Sequence, residues 1–116
     1  MSEPLNLDEV AVFLRDFAIE RDWDQFHTPK NLSMALAGES GELLEIFQWL
    51  TPDQSAHLDE ATLRHVGEEL VDILQYLVRI ADLLDIDLAE AFEAKFEQNA
   101  DRYPADEVRG NADKRG

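Results

Sequence analysis

The stretch ALAGESGELLEIFQWL, Ala35–Leu50, decides how this chain folds. At 100° per residue, with Leu36 set at zero, Leu32, Leu36, Leu43, Phe47 and Leu50 fall within about 40° of one direction. Ile46 and Ala35 widen that stripe on one side, so the segment reads as an amphipathic helix. Three glutamates complicate the pattern. Glu39 lies at about −60°, between Leu43 and Ile46, inside the apolar arc. Glu42 stands at the edge of the same side, as does Trp49 seven residues later, and Glu45 lies nearly opposite the core. A carboxylate inside a packed stripe must be protonated, paired or bound to a metal ion. No Lys or Arg stands three or four residues from Glu39 to pair with it along the helix.

Outward from this stretch the pattern stays helical. Thr28 caps the helix and Pro29 takes its first position, where the missing N–H costs nothing; TPDQS ends it after Leu50. Before it lies an aromatic connector, WDQFHTP, and before that a helix over Leu7–Arg21, capped by Asn6, with Val10, Phe13, Leu14 and Phe17 at helical spacing. After it, a helix runs from Asp59 to about Leu84 with Val66, Leu70, Ile73, Leu74, Leu77, Ala81 and Leu84 as its core face. Asp87 caps a fourth, Leu88 to Tyr103, which Pro104 closes. The spacing predicts an all-α fold, a four-helix-bundle protomer over residues 5–104. Residues 105–116 have little apolar content and read as a flexible tail. A chain of 116 residues buries only about two-thirds of its unfolded surface, which favours a homo-oligomer.

Composition narrows the partners. Acidic residues outnumber basic ones 26 to 10, a balance that repels nucleic-acid backbones and anionic lipid surfaces. No apolar run approaches the ~18 residues of a membrane span. The first residues, MSEPLNLDEV, lack the apolar core of an export signal, and with no cysteine there is neither a disulfide framework nor a thiolate metal site. These features fit a cytoplasmic protein with no nucleic-acid polymer and no membrane as partner. Any phosphate compound would need a cation to offset the charge.

The helix over Asp59–Leu84 repeats the acidic arrangement. Glu69 lies at the margin of the core face beside Tyr76, Asp72 about 60° further round, and Glu68 points away. Glu39 with Glu42 and Glu69 with Asp72 make two E-x-x-[ED] pairs on helices that can pack antiparallel. Four carboxylates so gathered call for a cation, and oxygen-only ligands select Mg²⁺ or Mn²⁺ over Zn²⁺. The last helix supplies the other sign: Lys95 and Asn99 lie within or beside its stripe of Leu88, Phe92, Phe96 and Tyr103, with Arg102 at the margin, suited to phosphate contact. Trp23 in the connector and Trp49 near Glu42 are candidates to stack on a flat base, while His27 by itself reads as a hydrogen-bonded structural residue. His57 and His65 are not at metal-ligand spacing with His27 and are set aside.

The motifs GESGELLEIFQW and EELVDILQYL, with ERDWDQFHTPKNLSMAL upstream and KFEQNADRYP downstream, resemble those of the MazG-like all-α nucleoside triphosphate pyrophosphohydrolases, most nearly the short dCTP pyrophosphatase type. The resemblance covers about residues 5–104. It implies Mg²⁺ (Mn²⁺ substituting) on Glu39, Glu42, Glu69 and Asp72. Trp23, His27, Trp49 and Tyr76 would line the nucleotide pocket, with Lys95 and Asn99 reaching phosphates or base, possible accessory roles for Glu45 and Arg102, and a dimer or tetramer as the assembly. The activity implied is cleavage of dCTP, or of a modified (d)NTP, to the monophosphate and pyrophosphate, with Glu39 or Glu42 as the base. Leu14 stands where the close dCTP enzymes carry a substrate-contacting His, a departure that bears on the base and not on the metal chemistry. Two other readings stay open: a phosphoribosyl-ATP pyrophosphohydrolase-like enzyme, which the Trp-rich connector disfavours, and a catalytically silent helical dimer, which retention of all four acids disfavours.

Overall fold

A computed structural model describes residues 3–115. Among them the regular structure is entirely helical, and the chain divides into two compact units that meet between Asp85 and Ile86. The first holds α1 (Leu7–Glu20), a 3₁₀ turn (Asp24–Phe26), α2 (Pro29–Phe47), α3 (Pro52–Ser55) and α4 (Glu60–Leu83); the second holds α5 (Leu88–Arg102) and α6 (Ala105–Val108). None of these helices is long and apolar enough to cross a membrane.

The caps explain where the helices begin. Asn6 Oδ1 accepts from the Asp8 and Glu9 N–H groups, Thr28 Oγ1 from Asn31 N at 3.1 Å, Asp59 Oδ1 from Thr62 N at 2.7 Å and Asp87 Oδ1 from Glu90 N at 3.1 Å. Each satisfies an N–H that the helix itself leaves open. The predicted helix to Leu50 stops at Phe47. Thr51 and Gln54 then form a reciprocal capping box around the short α3, so TPDQS starts a helix as well as ending one.

The core of the first unit lies where α4 packs along α2, with α1 on another side of α4. Leu32, Val78, Ala18 and Ala81 are its buried apolar residues. The α2 stripe is buried or half-buried from Leu32 to Leu50, as its periodicity predicts. On α4 the expected core face is corrected. Leu70, Leu77 and Leu84 are exposed by 52, 40 and 50%, and Val78 is buried instead. The physical reason is that α4 has two neighbours on different sides, so its buried residues change side along its length, and one apolar flank is left over. Phe13 on α1 is likewise exposed, while Ala18 takes the packed position.

The second unit is held by its own contacts. Phe92 and Phe96 stack on α5 with ring centroids 4.7 Å apart. Beyond α6, Arg115 N donates to Tyr103 Oη at 2.6 Å and Arg115 Nη1 to the Arg102 carbonyl and to Glu107.

Leu32 is 2% exposed at the α2–α4 seam. Leu32→Ala is expected to lower unfolding free energy by about 2–5 kcal/mol in a denaturant titration; a loss below about 1 kcal/mol would show that this seam does not hold the unit together.

Candidate metal centre

Antiparallel packing of α2 against α4 is what assembles the acids. Glu39 of α2 lies beside Glu69 and Asp72 of α4, while Glu45 and Ile46, further along α2, share a cleft with Thr62 and His65, further back on α4. One carboxylate oxygen from each of Glu39, Glu69 and Asp72 lies within 4.8 Å of the other two. Glu69 is buried and Glu39 and Asp72 are half-buried. Asp72 Oδ1 accepts from Gln75 Nε2 at 3.1 Å, and His65 Nε2 stands 3.4 Å from Glu69 Oε1. The Oε2 atoms of Glu39 and of Glu69 are buried with no hydrogen-bond partner.

Among the described residues no cation pairs with Glu39, whose Oε2 has no partner. Its carboxyl is instead pushed up to about 7, first by the adjoining Glu69 carboxylate, then by burial, then by Glu42 and Asp72. Burial, then Glu39, Asp72 and Glu42, also raise the Tyr76 phenol. Two orphaned buried oxygens in an all-oxygen cluster fit a hard divalent cation, which would supply the missing partner.

Glu42 is exposed and stands outside the three-oxygen cluster. It lines a cleft of about 590 Å³ with Glu45, Ile46, Thr62, His65 and Glu69. Glu45, opposite the α2 stripe, thus faces open space beside the acids. His65, set aside on its spacing from His27, lies one turn before Glu69; that i, i+4 relation was the signal that marked it.

The connector residues are placed by backbone chemistry. Asp22 takes φ 54°, and the N–H groups of Asp22 and Trp23 bond back to Ile19 and Ala18, the double closure of a Schellman motif. This turns Trp23 against Phe17, with ring centroids 5.9 Å apart at 62°, and leaves it 46% exposed. Trp49, two residues past α2, is 87% exposed. The two tryptophans therefore flank opposite ends of a 19-residue helix, about 28 Å long. Tyr76 lies one turn from Asp72, and Leu14 is half-buried on α1. Lys95, exposed, and Asn99 and Arg102, half-buried, belong to α5 in the second unit.

The sequence profile of the MazG-like family matches residues 35–116, a span that contains both acidic pairs, and the chain belongs to that family. It is 45% identical over 114 residues to dCTP pyrophosphatase 1 of Bos taurus, covering 96% of this chain and 66% of that protein. It is 42% identical over 113 residues to dCTP pyrophosphatase 1 of Homo sapiens, covering 93% and 65%. The chain thus spans just under two thirds of the length of these relatives. A crystal structure of a pyrophosphatase from Archaeoglobus fulgidus superposes with a TM-score of 0.80 at 37% identity, over 90% of this chain and 97% of that one.

Because the folded Glu39 holds its proton up to about pH 7 and an unfolded Glu releases it near 4.3, the native state binds more protons between these values. Stability of the metal-free protein is therefore expected to fall as pH rises from about 4.5 to 7 and to level off above. Glu39→Gln should flatten this dependence and raise the melting temperature at pH 8. A wild-type profile that climbs across this window in thermal melts with chelator would refute the assignment.

Proposed function

We propose that this chain is a Mg²⁺-dependent nucleoside triphosphate pyrophosphohydrolase acting on dCTP or a modified (d)NTP in the cytoplasm. The carrying observation is the cluster of Glu39, Glu69 and Asp72 oxygens with two buried atoms unpartnered. The similarity to proteins called dCTP pyrophosphatase 1 and to a pyrophosphatase structure supports the reaction, and the dCTP in the former name supports the substrate.

Glu39, Glu42, Glu69 and Asp72 would hold the cation, with Mn²⁺ as a substitute. When bound, it supplies charge neutralisation and Lewis acidity toward the phosphate oxygens. The chain's own residues do the rest. Glu39 or Glu42 accepts a proton from the attacking water, with Glu45 beside them on the cleft wall. The water oxygen bonds to the α-phosphorus as the bond to the departing pyrophosphate breaks, so no covalent enzyme intermediate forms. Tyr76 and the aromatic residues Trp23, His27 and Trp49 position the nucleotide, and Lys95 and Asn99, with Arg102 as an accessory, are the positive and polar groups that α5 of a neighbouring protomer would bring to it.

One protomer cannot bring Trp23 and Trp49 to a single base across about 28 Å of helix. Both serve one pocket only if two protomers build it, which favours a four-helix protomer in a dimer or tetramer. The uncovered flank of α4 supports this: Leu63, Leu70, Leu77 and Leu84 recur every seven residues and are 55, 52, 40 and 50% exposed, the repeat by which helices pair.

Pyrophosphate release from dCTP is expected with Mg²⁺ and not with excess chelator, and Asp72→Asn should lower turnover by about a hundredfold or more with the melt retained. Full turnover in chelator would remove the metal from the mechanism. The Leu70→Lys, Leu77→Lys double variant is expected to run as a monomer in light scattering where the wild type runs as a dimer or larger. A monomeric wild type would refute the shared pocket.

A further inference from the structure

Arg79 is a charged residue at 3% exposure in the second half of α4, remote from the acidic cluster. Asp72 to Arg79 is seven residues, about 10.5 Å along the helix. All three faces of its guanidinium are engaged. Nη2 donates to Asp24 Oδ1 at 2.7 Å, Nη1 to Asp82 Oδ2 at 3.2 Å and Nε to His27 Nδ1 at 3.3 Å. Asp82 also accepts a bidentate pair from Arg15 at 2.6 and 3.0 Å. Two cations thus meet two carboxylates, and the cluster is neutral if His27 is neutral.

The bond to His27 carries information that an ion pair alone does not. A guanidinium has no acceptor and does not deprotonate, so it can only donate. His27 Nδ1 must therefore present a lone pair, and the ring hydrogen must sit on Nε2. A flipped ring would set a carbon-bound hydrogen against the guanidinium and lose the bond. Protonation of Nδ1 would place a second cation against a buried one; consistently, burial and then Arg79 lower the His27 pKa, against a smaller opposing effect of Asp24. Among the described residues no protein acceptor takes the Nε2 hydrogen.

We propose that Arg79 is a positioning residue for the nucleotide site: it pins the 3₁₀ turn Asp24–Phe26 to α4 and holds His27 as the neutral Nε2–H tautomer, a single donor for an uncharged acceptor of the substrate, a base carbonyl or ring nitrogen. The consequence for substrate rests on the pyrophosphohydrolase reading above; the tautomer does not. The spacing agrees, since a triphosphate held at the acids extends its base about 10 Å from them, the reach from Asp72 to Arg79. Phosphate is the poorer match, because a neutral imidazole so far from the acids adds no charge.

Long-range ¹H–¹⁵N spectra of the intact wild-type protein at pH 7.5 are expected to show His27 with Nδ1 bare and Nε2 protonated. A predominant Nδ1–H form or an imidazolium would overturn the proposal. In Arg79→Lys, whose point charge can keep one carboxylate but lacks the fork, His27 should become a mixture of tautomers. KM for dCTP should rise about tenfold, the scale of one lost hydrogen bond, with kcat changed less than threefold. Wild-type tautomer and KM in Arg79→Lys would reduce Arg79 to a structural ion pair. Asp24→Asn, at an exposed position of the turn, provides the second variant if Arg79→Lys does not fold: it should raise KM and not kcat, and an unchanged KM would count against pinning of the turn. The spectra need no turnover, so absence of pyrophosphate release from any nucleotide would sink the enzymatic reading while the tautomer still decides what Arg79 does.

Discussion

Everything in the first unit is arranged around carboxylates that repel one another across the seam between α2 and α4. Packing Leu32 and its stripe against α4 stabilises the unit, and the same packing forces Glu39, Glu69 and Asp72 to within 4.8 Å. Hydrophobic burial therefore works against electrostatics at this point. In the metal-free molecule the conflict is relieved by a proton on Glu39, whose carboxyl is pushed up to about 7. A divalent cation held there would offset the same repulsion and supply a partner for the two buried oxygens. The proposed activity uses the same imbalance: acids that the fold cannot neutralise by itself recruit the charge that an anionic substrate requires.

The other end of the same helix pair shows the opposite solution. Arg79 is more buried than any of the acids, yet its donors are matched by two carboxylates and an imidazole. Arg79 is thus satisfied within the chain, and among the described residues His27 Nε2 is left as the free donor of that cluster. Rigid support at one end and unsatisfied charge at the other suit a nucleotide, whose base demands shape and whose phosphates demand cations.

Apolar surface is the third constraint. Leu63, Leu70 and Leu77 on α4, Leu84 at its C-cap, and Phe92 and Phe96 on α5 stay exposed. A chain of this size runs out of interior before it runs out of apolar side chains. In the proposed assembly that surplus is what brings two protomers together.

Helix content, caps and the α2 stripe were legible in the sequence because they depend on spacing and on side chains within one turn of their partners. Asn6, Thr28, Asp59 and Asp87 cap where their residue types say they should. Both acidic pairs were legible for the same reason, since a three-residue step on a helix puts two carboxylates on one side whatever surrounds it. The tertiary structure decided what depends on two helices at once. Which acids share a cluster follows from the antiparallel register of α2 and α4. The α4 core face shifted from Leu70 and Leu77 to Val78 because a helix with two neighbours has two buried sides, which a single periodicity cannot express. Arg79 carried only an i, i+3 pair with Asp82 as a local signal: its partners Asp24 and His27 are more than fifty residues away in sequence, and only the fold brings a buried guanidinium to the connector.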